Sequence, residues 1–341
     1  MVTGLSGTSG SQLVTELSTP EVAQPMSRLP RIAALAAALA TVGATVFAPS
    51  AAAAPTDLAL ATRWAPIHYQ DTDSSDYDAD YLSRIDFDGE WNTLNNWEDQ
   101  DDSVARLTGT VYYSVVETGT HWFLTYSFYH PRDWIDIPDP FGLLTHENDM
   151  EGVLLTVRKD GSAYGSLEAM VTVAHTDFYS YVPPGSPYTD GRENIDGQIQ
   201  MQTYDGLPHP TTYQEAKGHG CYAKNADHAP DGDGVVYYPS GTAEVPSGGT
   251  DSSVGYTLVD VFAANGMWAR RNNAETYASF GTFRGDNGKD NAANAPWGWD
   301  DGNDGGDIPR GYLATDPAYL VGQYFGGKGS FATTYTGNLF R

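Results

Sequence analysis

The chain has 341 residues, 44 of them acidic and 18 basic, for a formal net charge of −26. An acidic balance of this size argues against nucleic-acid binding, which needs cationic side chains to displace counterions, and against simple electrostatic attachment to anionic membranes. It favours cations as partners. Aromatic content of 12% and a single cysteine describe a folded chain with a sizeable core and no internal disulfide.

The first predicted element is a secretory signal. Met26 to Arg31 is short and basic, Ile32 to Phe47 is an apolar, Ala-rich run, and Ala48 to Ala54 supplies small residues before Pro55. That order is the pattern of a cleaved leader, and the run is too short and too Ala-rich for a comfortable membrane span. Residues 1–54 are therefore expected to be an N-terminal extension plus signal peptide, with Met1 and Met26 as alternative starts. Residues 55–341 are expected to form one secreted domain.

That domain reads as all-β with minor α. Thr110 to Val116 is β-branched and aromatic, Glu117 to Thr120 is a turn, and His121 to Tyr129 returns as a second strand. Glu151 to Val157 and Ala163 to His175 form a second predicted hairpin about Asp160-Gly161. Gln198 to Tyr204, Gly234 to Tyr238 and Val254 to Phe262 are further predicted strands. Helix signals are few: a short piece at Tyr81 to Ile85, and Thr315 to Phe325, where a cap residue precedes Pro317. Short strands between Gly-, Pro-, Asn- and Asp-rich spacers predict an antiparallel β-sandwich with long acidic loops and a short C-terminal helix.

The chemistry concentrates between Tyr126 and Val157. Asp149 and Glu151 stand two apart at the start of a strand, so period-two geometry places both carboxylates on one face. Val153 and Leu155 continue that face. Two carboxylates at the rim of an apolar layer repel and are poorly solvated, so they need a cation, a proton or strong donors. His146 would point to the opposite face of a regular strand. It joins them only if the chain bends between Thr145 and Asn148, which the Gly142 loop permits. Asp133 ends the preceding predicted hairpin and would arrive from the neighbouring strand. Three carboxylates and one imidazole suit Ca²⁺, Mg²⁺ or Mn²⁺ better than structural Zn²⁺. The competing reading is an exposed strand end with a loop histidine.

The stretch Tyr126-Ser-Phe-Tyr-His-Pro-Arg-Asp133, followed by His146-x-x-Asp149-x-Glu151, resembles the core of the necrosis- and ethylene-inducing-like proteins. That family carries Tyr-Ser-x-Tyr-x-Pro-Lys-Asp and then Gly-His-Arg-His-Asp-Trp-Glu. The resemblance implies a lectin-like β-sandwich in which Asp133, His146, Asp149 and Glu151 ligate a divalent cation. The chain also resembles a family named after a fungal vacuolar protein-sorting factor, through Trp64-Ala-Pro66-Ile67 and through Pro210-x-x-Tyr213 with Gly218-His219. The likeness covers roughly residues 64–225. Thr145, Glu147, Asn148 and Met150 depart from the toxin motif, the Asp133–His146 loop is longer, and the bracing cysteines are missing, which separates a retained cation site from retained toxicity.

His130, His175 and His219 are the candidate catalytic residues: if they converge on the cation, any of them is a general base beside a metal-activated water. Each also reads as a core or surface histidine. A two-residue turn at Asp160-Gly161 would set His175 opposite His146. Asp300 to Asp307 looks like a calcium loop without the distal Glu of an EF-hand, and the aspartates from Asp71 to Asp80 read as a solvated turn. The eight tryptophans are core by default, although Trp134, Trp297 and Trp299 are placed to stack on a sugar.

Two functions follow. The first is a secreted monomer that uses a divalent cation to recognise an extracellular glycan or glycolipid headgroup, with damage to a target membrane surface. The alternative is a metal-dependent hydrolase of a glycan or phosphodiester. A purely structural cation is a third reading.

Overall fold

Strand β3 (His121–Asp133) is buried at every position except its last. It has no solvated face. Trp122, Leu124, Tyr126 and Phe128 enter one apolar layer with Leu60, Ala61 and Trp64 of helix α1 (Asp57–Trp64). Phe123 and Tyr129 enter a second layer with Trp297, Trp299, Leu320 and Val321. This explains why the strand is nearly continuous in apolar and aromatic residues rather than alternating. The computed structural model describes residues 54–286, 293–302 and 308–341. The signal-peptide reading lies outside them apart from Ala54, and among them no helix is long and apolar enough to cross a membrane.

The protein is mostly β. Its main elements also include β1 (Ile67–Asp71), β2 (Thr110–Thr118), β4 (His146–Arg158), β5 (Ser166–Ala174) and β6 (Asp177–Val182). Among the described residues one thirteen-stranded sheet runs from Cys221–Ala223 through Leu207–Gln214, β1, Gly234–Pro239, Val254–Asp260, β2, β3, β4, β5 and β6 to Gly197–Gln198, with Tyr335–Gly337 paired to β2 and Met201–Tyr204 to Leu207–Gln214 off this path. The sheet curls until Cys221–Ala223, at one end, packs on β5. Cys221, Ala223, Met170 and Tyr181 consequently share the first apolar layer.

The predicted β2–β3 hairpin is present, antiparallel from Val111↔Phe128 to Glu117↔Trp122. The sheet departs from the antiparallel expectation elsewhere. β1 pairs parallel with Leu207–Gln214, and Val254–Asp260 pairs parallel with both Gly234–Pro239 and β2. Parallel neighbours need long crossover connections, and nothing local in the sequence marks such a partner.

The β4–β5 connection is also corrected. Arg158 pairs with Ser166 across a longer loop, and the register shifts between Thr156 and Val157. Lys159 leaves the ladder because its ammonium is held by the Glu117 carboxylate (2.6 Å) and the Thr118 carbonyl (2.7 Å). His175 therefore does not sit opposite His146. Residues 81–85 form no helix. Leu82 and Ile85 are pulled into the core, with their amides donating to the Tyr237 and Tyr112 hydroxyls. The C-terminal helix is present as Pro317–Tyr324, and the Asp316 carboxylate caps it at the Tyr319 amide.

Candidate metal centre

The site grows from the open end of the β3–β4 pair. The register sets Asp133 opposite His146, His130 opposite Asp149 and Phe128 opposite Glu151. Asp149 and Glu151 thus share a face, as their spacing requires. The bend that His146 needs is supplied by Asn148, whose φ is +60°. Asparagine tolerates this left-handed conformation better than most residues. Its buried side chain also holds the bend. Oδ1 accepts from Asn96 Nδ2 (2.9 Å) and the Tyr129 hydroxyl (2.6 Å), and Nδ2 donates to the Thr93 (3.0 Å) and Arg284 (2.6 Å) carbonyls. Asn96 opens helix α2 (Asn96–Asp102), and the Glu147 carboxylate accepts the Trp97 amide at 2.6 Å, so this short helix is tied to β4 at two points.

Beyond the bend, Asp133, His146, Asp149, Glu151 and His175 line one cavity of about 190 Å³. His146 Nε2 lies 3.1 Å from Asp133 Oδ2, and His146 Nδ1 faces the Asn148 carbonyl at 2.9 Å. Burial works against charge on this imidazole, but the Asp133 hydrogen bond and the Asp149 charge outweigh it and hold the group above the ordinary histidine range. Asp149 Oδ1 accepts the Met150 amide at 2.8 Å, and its Oδ2 meets His219 Nδ1 at 3.1 Å. Glu151 Oε1 accepts the His175 amide at 2.5 Å, while Glu151 Oε2 is buried without a hydrogen-bond partner. Burial, and then the neighbouring Asp149 charge, push the Glu151 carboxyl well above the usual carboxylate range.

The three candidate catalytic histidines separate. His175 stands half-exposed on the cavity wall with φ +58°, and its Nε2 meets Glu215 Oε1 at 2.8 Å. That hydrogen bond raises the imidazole against the effect of its partial burial. His130 and His219 are fully buried behind Asp149 and line no part of the cavity. Trp134 and Trp299 are buried too, so neither offers an open ring face to a sugar. Trp299 forms a cavity wall instead, its indole donating to the Met150 carbonyl at 2.8 Å. Gly152 makes room for it, since a Cβ there would fall 2.8 Å from Trp299 Cη2.

Sequence reasoning missed two features. Asp80, assigned to a solvated turn, is completely buried beneath the site; one carboxylate in a run of aspartates carries no signal of that. The Asp133–His146 loop presents Ile137, Phe141, Leu143 and Leu144 to solvent, with Phe141 81% exposed, and Leu143 and Leu144 edge the cavity. Among the described residues, three acidic groups bring ligand atoms within 4.8 Å of one another, Asp76/Asp78/Asp101, Asp88/Glu90/Asp99 and Glu98/Glu147/Asp286; the Asp133, His146, Asp149 and Glu151 side chains do not form such a group. Arg132 already pairs with Asp76 and Asp101 in the first. The calcium-like loop at 300–307 falls partly outside the described residues.

By type, the three carboxylates and one imidazole match the ligands of a hard divalent cation, while no three of them bring ligand atoms within 4.8 Å of one another. Glu151 Oε2 is an orphaned buried oxygen beside a second carboxylate, which is costly without a positive partner. A His146 that donates from Nδ1 to a carbonyl leaves Nε2 available as a ligand, the usual outer-shell arrangement.

No protein-family model matches the chain, and no curated protein matches it. Solved structures similar to it carry the toxin fold of necrosis- and ethylene-inducing proteins. Necrosis and ethylene inducing protein 2, from the causal agent of cocoa's witches' broom disease, is 15% identical over 63% of this chain and 80% of that one, with a TM-score of 0.32. A toxin fold for microbial attack and plant defence is 17% identical over 55% and 62%, with a TM-score of 0.27. NLPPya in complex with glucosamine is 16% identical over the same shares, also at 0.27. The chain spans 62% of the length of the last two. Likeness at this level carries no argument about the site or its ligand.

Proposed function

We propose that the protein is a secreted, divalent-cation-dependent monomer of lectin-like fold that recognises an extracellular glycan or glycolipid headgroup at a membrane surface. The observation that carries this reading is the buried, unpartnered Oε2 of Glu151, a residue that lines the same cavity as Asp133, His146 and Asp149. Those four side chains would hold the cation, Ca²⁺, Mg²⁺ or Mn²⁺. When bound, it would supply positive charge for the oxygens of a ligand. The chain's own residues then orient and exclude. The His175 amide fixes one Glu151 oxygen, and Trp299 closes one wall against water. The exposed apolar loop beside the cavity supports contact with a lipid surface, since it presents four large apolar side chains to solvent.

The test is sedimentation of the purified chain with glycolipid-bearing vesicles, with and without chelator. Chelator-sensitive binding supports the reading, and binding that ignores chelator refutes it.

The hydrolase reading rests on His175 alone, because it is the only one of the three histidines that lines the cavity. There it would take a proton from an attacking water and share it with Glu215. Chelator-sensitive release of soluble products from envelope extracts, lost in His175→Gln, would replace the recognition reading with this one.

A further inference from the structure

Asp80 is the most heavily bonded carboxylate around the site. Its Oδ1 accepts from the Trp134 indole (2.9 Å) and the Lys217 amide (2.8 Å), and meets His219 Nε2 at 3.2 Å; its Oδ2 accepts the Asp73 amide at 2.9 Å. These donors come from three separate segments. One is the residue directly after Asp133, and another is the turn in which Lys217 and His219 both adopt left-handed backbone, with φ +70° and +55°.

His219 spans the distance from Asp80 to Asp149. Its two ring nitrogens each face a carboxylate oxygen, Asp149 Oδ2 at 3.1 Å and Asp80 Oδ1 at 3.2 Å. No water reaches the ring, which is fully buried. His130 covers one of its faces, and Gln214, which meets His130 Nε2 at 3.1 Å through Oε1, also donates from Nε2 to the His219 carbonyl at 2.7 Å. The imidazole is thus fixed by its backbone, by one face and by both nitrogens.

We propose that Asp80 is a positioning residue of the cation site, acting through His219 to fix the Asp149 carboxylate. The proposal rests on the cation reading given above. The physical logic is that of an outer-shell carboxylate on a histidine, transferred to a histidine that holds a ligand carboxylate instead of the metal. An acidic residue is needed at position 80 because three donors converge on a single oxygen.

The experiment is calorimetric titration of Ca²⁺ alone, and Mn²⁺ alone, into the full chain. Wild type is compared with Asp80→Asn, His219→Gln and the double variant, and apo melting is recorded in chelator for each. Asp80→Asn and His219→Gln are each expected to weaken cation binding on the order of 10- to 100-fold. The double variant is expected to bind no worse than His219→Gln alone, because Asp80 acts through that ring. Unchanged affinity in a folded Asp80→Asn chain, or losses that add in the double variant, would overturn the proposal while leaving the cation reading standing. If Asp80→Asn does not fold, His219→Gln decides, and unchanged affinity there overturns it. A wild-type chain that binds neither cation removes the cation reading itself, and this inference with it.

Discussion

The imidazoles of His130 and His219 stack face to face, with ring centroids 3.8 Å apart and planes 6° from parallel. Their charges differ. Burial, and then the His219 charge, drive His130 well below the ordinary histidine range. Burial opposes charge on His219 as well, but the Asp149 and Asp80 hydrogen bonds outweigh it and raise the group to about 9. A neutral plate therefore covers a cationic one. His130→Phe keeps the plate but orphans the buried Gln214 oxygen and is expected to cost about 1–3 kcal/mol, while His130→Ala leaves a cavity as well and costs about 2–4 kcal/mol. Urea midpoints distinguish them, and equal losses would show that the His130 nitrogens matter more than its surface.

Glu151→Gln should separate stability from cation binding. The amide oxygen still accepts from His175, and the side chain keeps the uncharged state that burial favours in the carboxyl. In chelator the variant is expected to match wild type or exceed it by up to about 2 kcal/mol. With Ca²⁺ at a hundred times its dissociation constant, wild type gains about 2.7 kcal/mol and the variant gains little. An equal thermal shift in both chains would exclude Glu151 as a ligand.

Asn148 combines a left-handed backbone with four hydrogen bonds from a buried amide. Asn148→Ala is expected to cost about 3–5 kcal/mol, from backbone strain of about 1–2 kcal/mol and from orphaned partners. Asn148→Gly should recover the strain alone, roughly 1 kcal/mol. If glycine proves no better than alanine in chemical denaturation, the bend is not left-handed in solution.

The apolar loop predicts a surface phenotype without a folding one. Serine at Phe141, Leu143 and Leu144 together should leave the melting temperature nearly unchanged, since exposed substitutions rarely exceed about 0.5 kcal/mol each. Vesicle binding should fall at least about tenfold, because each buried apolar side chain contributes about 1.5–3 kcal/mol. Undiminished binding would remove the loop from the interface.

Asp76 supplies a pH signature away from the cavity. Burial, and then the Asp78 charge, raise it from 3.8 to about 6, against the pull of Arg132. A carboxyl whose folded value lies above its unfolded one favours the native state at low pH and loses that contribution as pH rises through about 6. Asp76→Asn imitates the protonated form. It should therefore gain on wild type between pH 4 and pH 6, in urea midpoints taken at each pH. A constant difference would contradict the assignment.

The sequence makes the β2–β3 hairpin legible because both strands are dense in β-branched and aromatic residues and the turn between them is short. The pairing of Asp149 with Glu151 was legible for a geometric reason, the two-residue period of a strand. So was the condition on His146, that the chain must bend between Thr145 and Asn148. What was not legible depends on distant partners. The parallel neighbours of β1 and β2 come from segments more than a hundred residues away. Lys159 leaves the ladder for Glu117 and Thr118, which moves His175 out of the predicted register. Asp80 looks like its aspartate neighbours until Trp134, Lys217 and His219 converge on it.

Trp299 reaches the site from a position 149 residues after Met150, whose carbonyl it binds. At ordinary synthesis rates the acidic pair leaves the ribosome roughly 10–30 s before this wall does. In that interval the carboxylates are open to the medium and freely hydrated. The indole can settle over Gly152 only afterwards, when the pocket acquires its final shape.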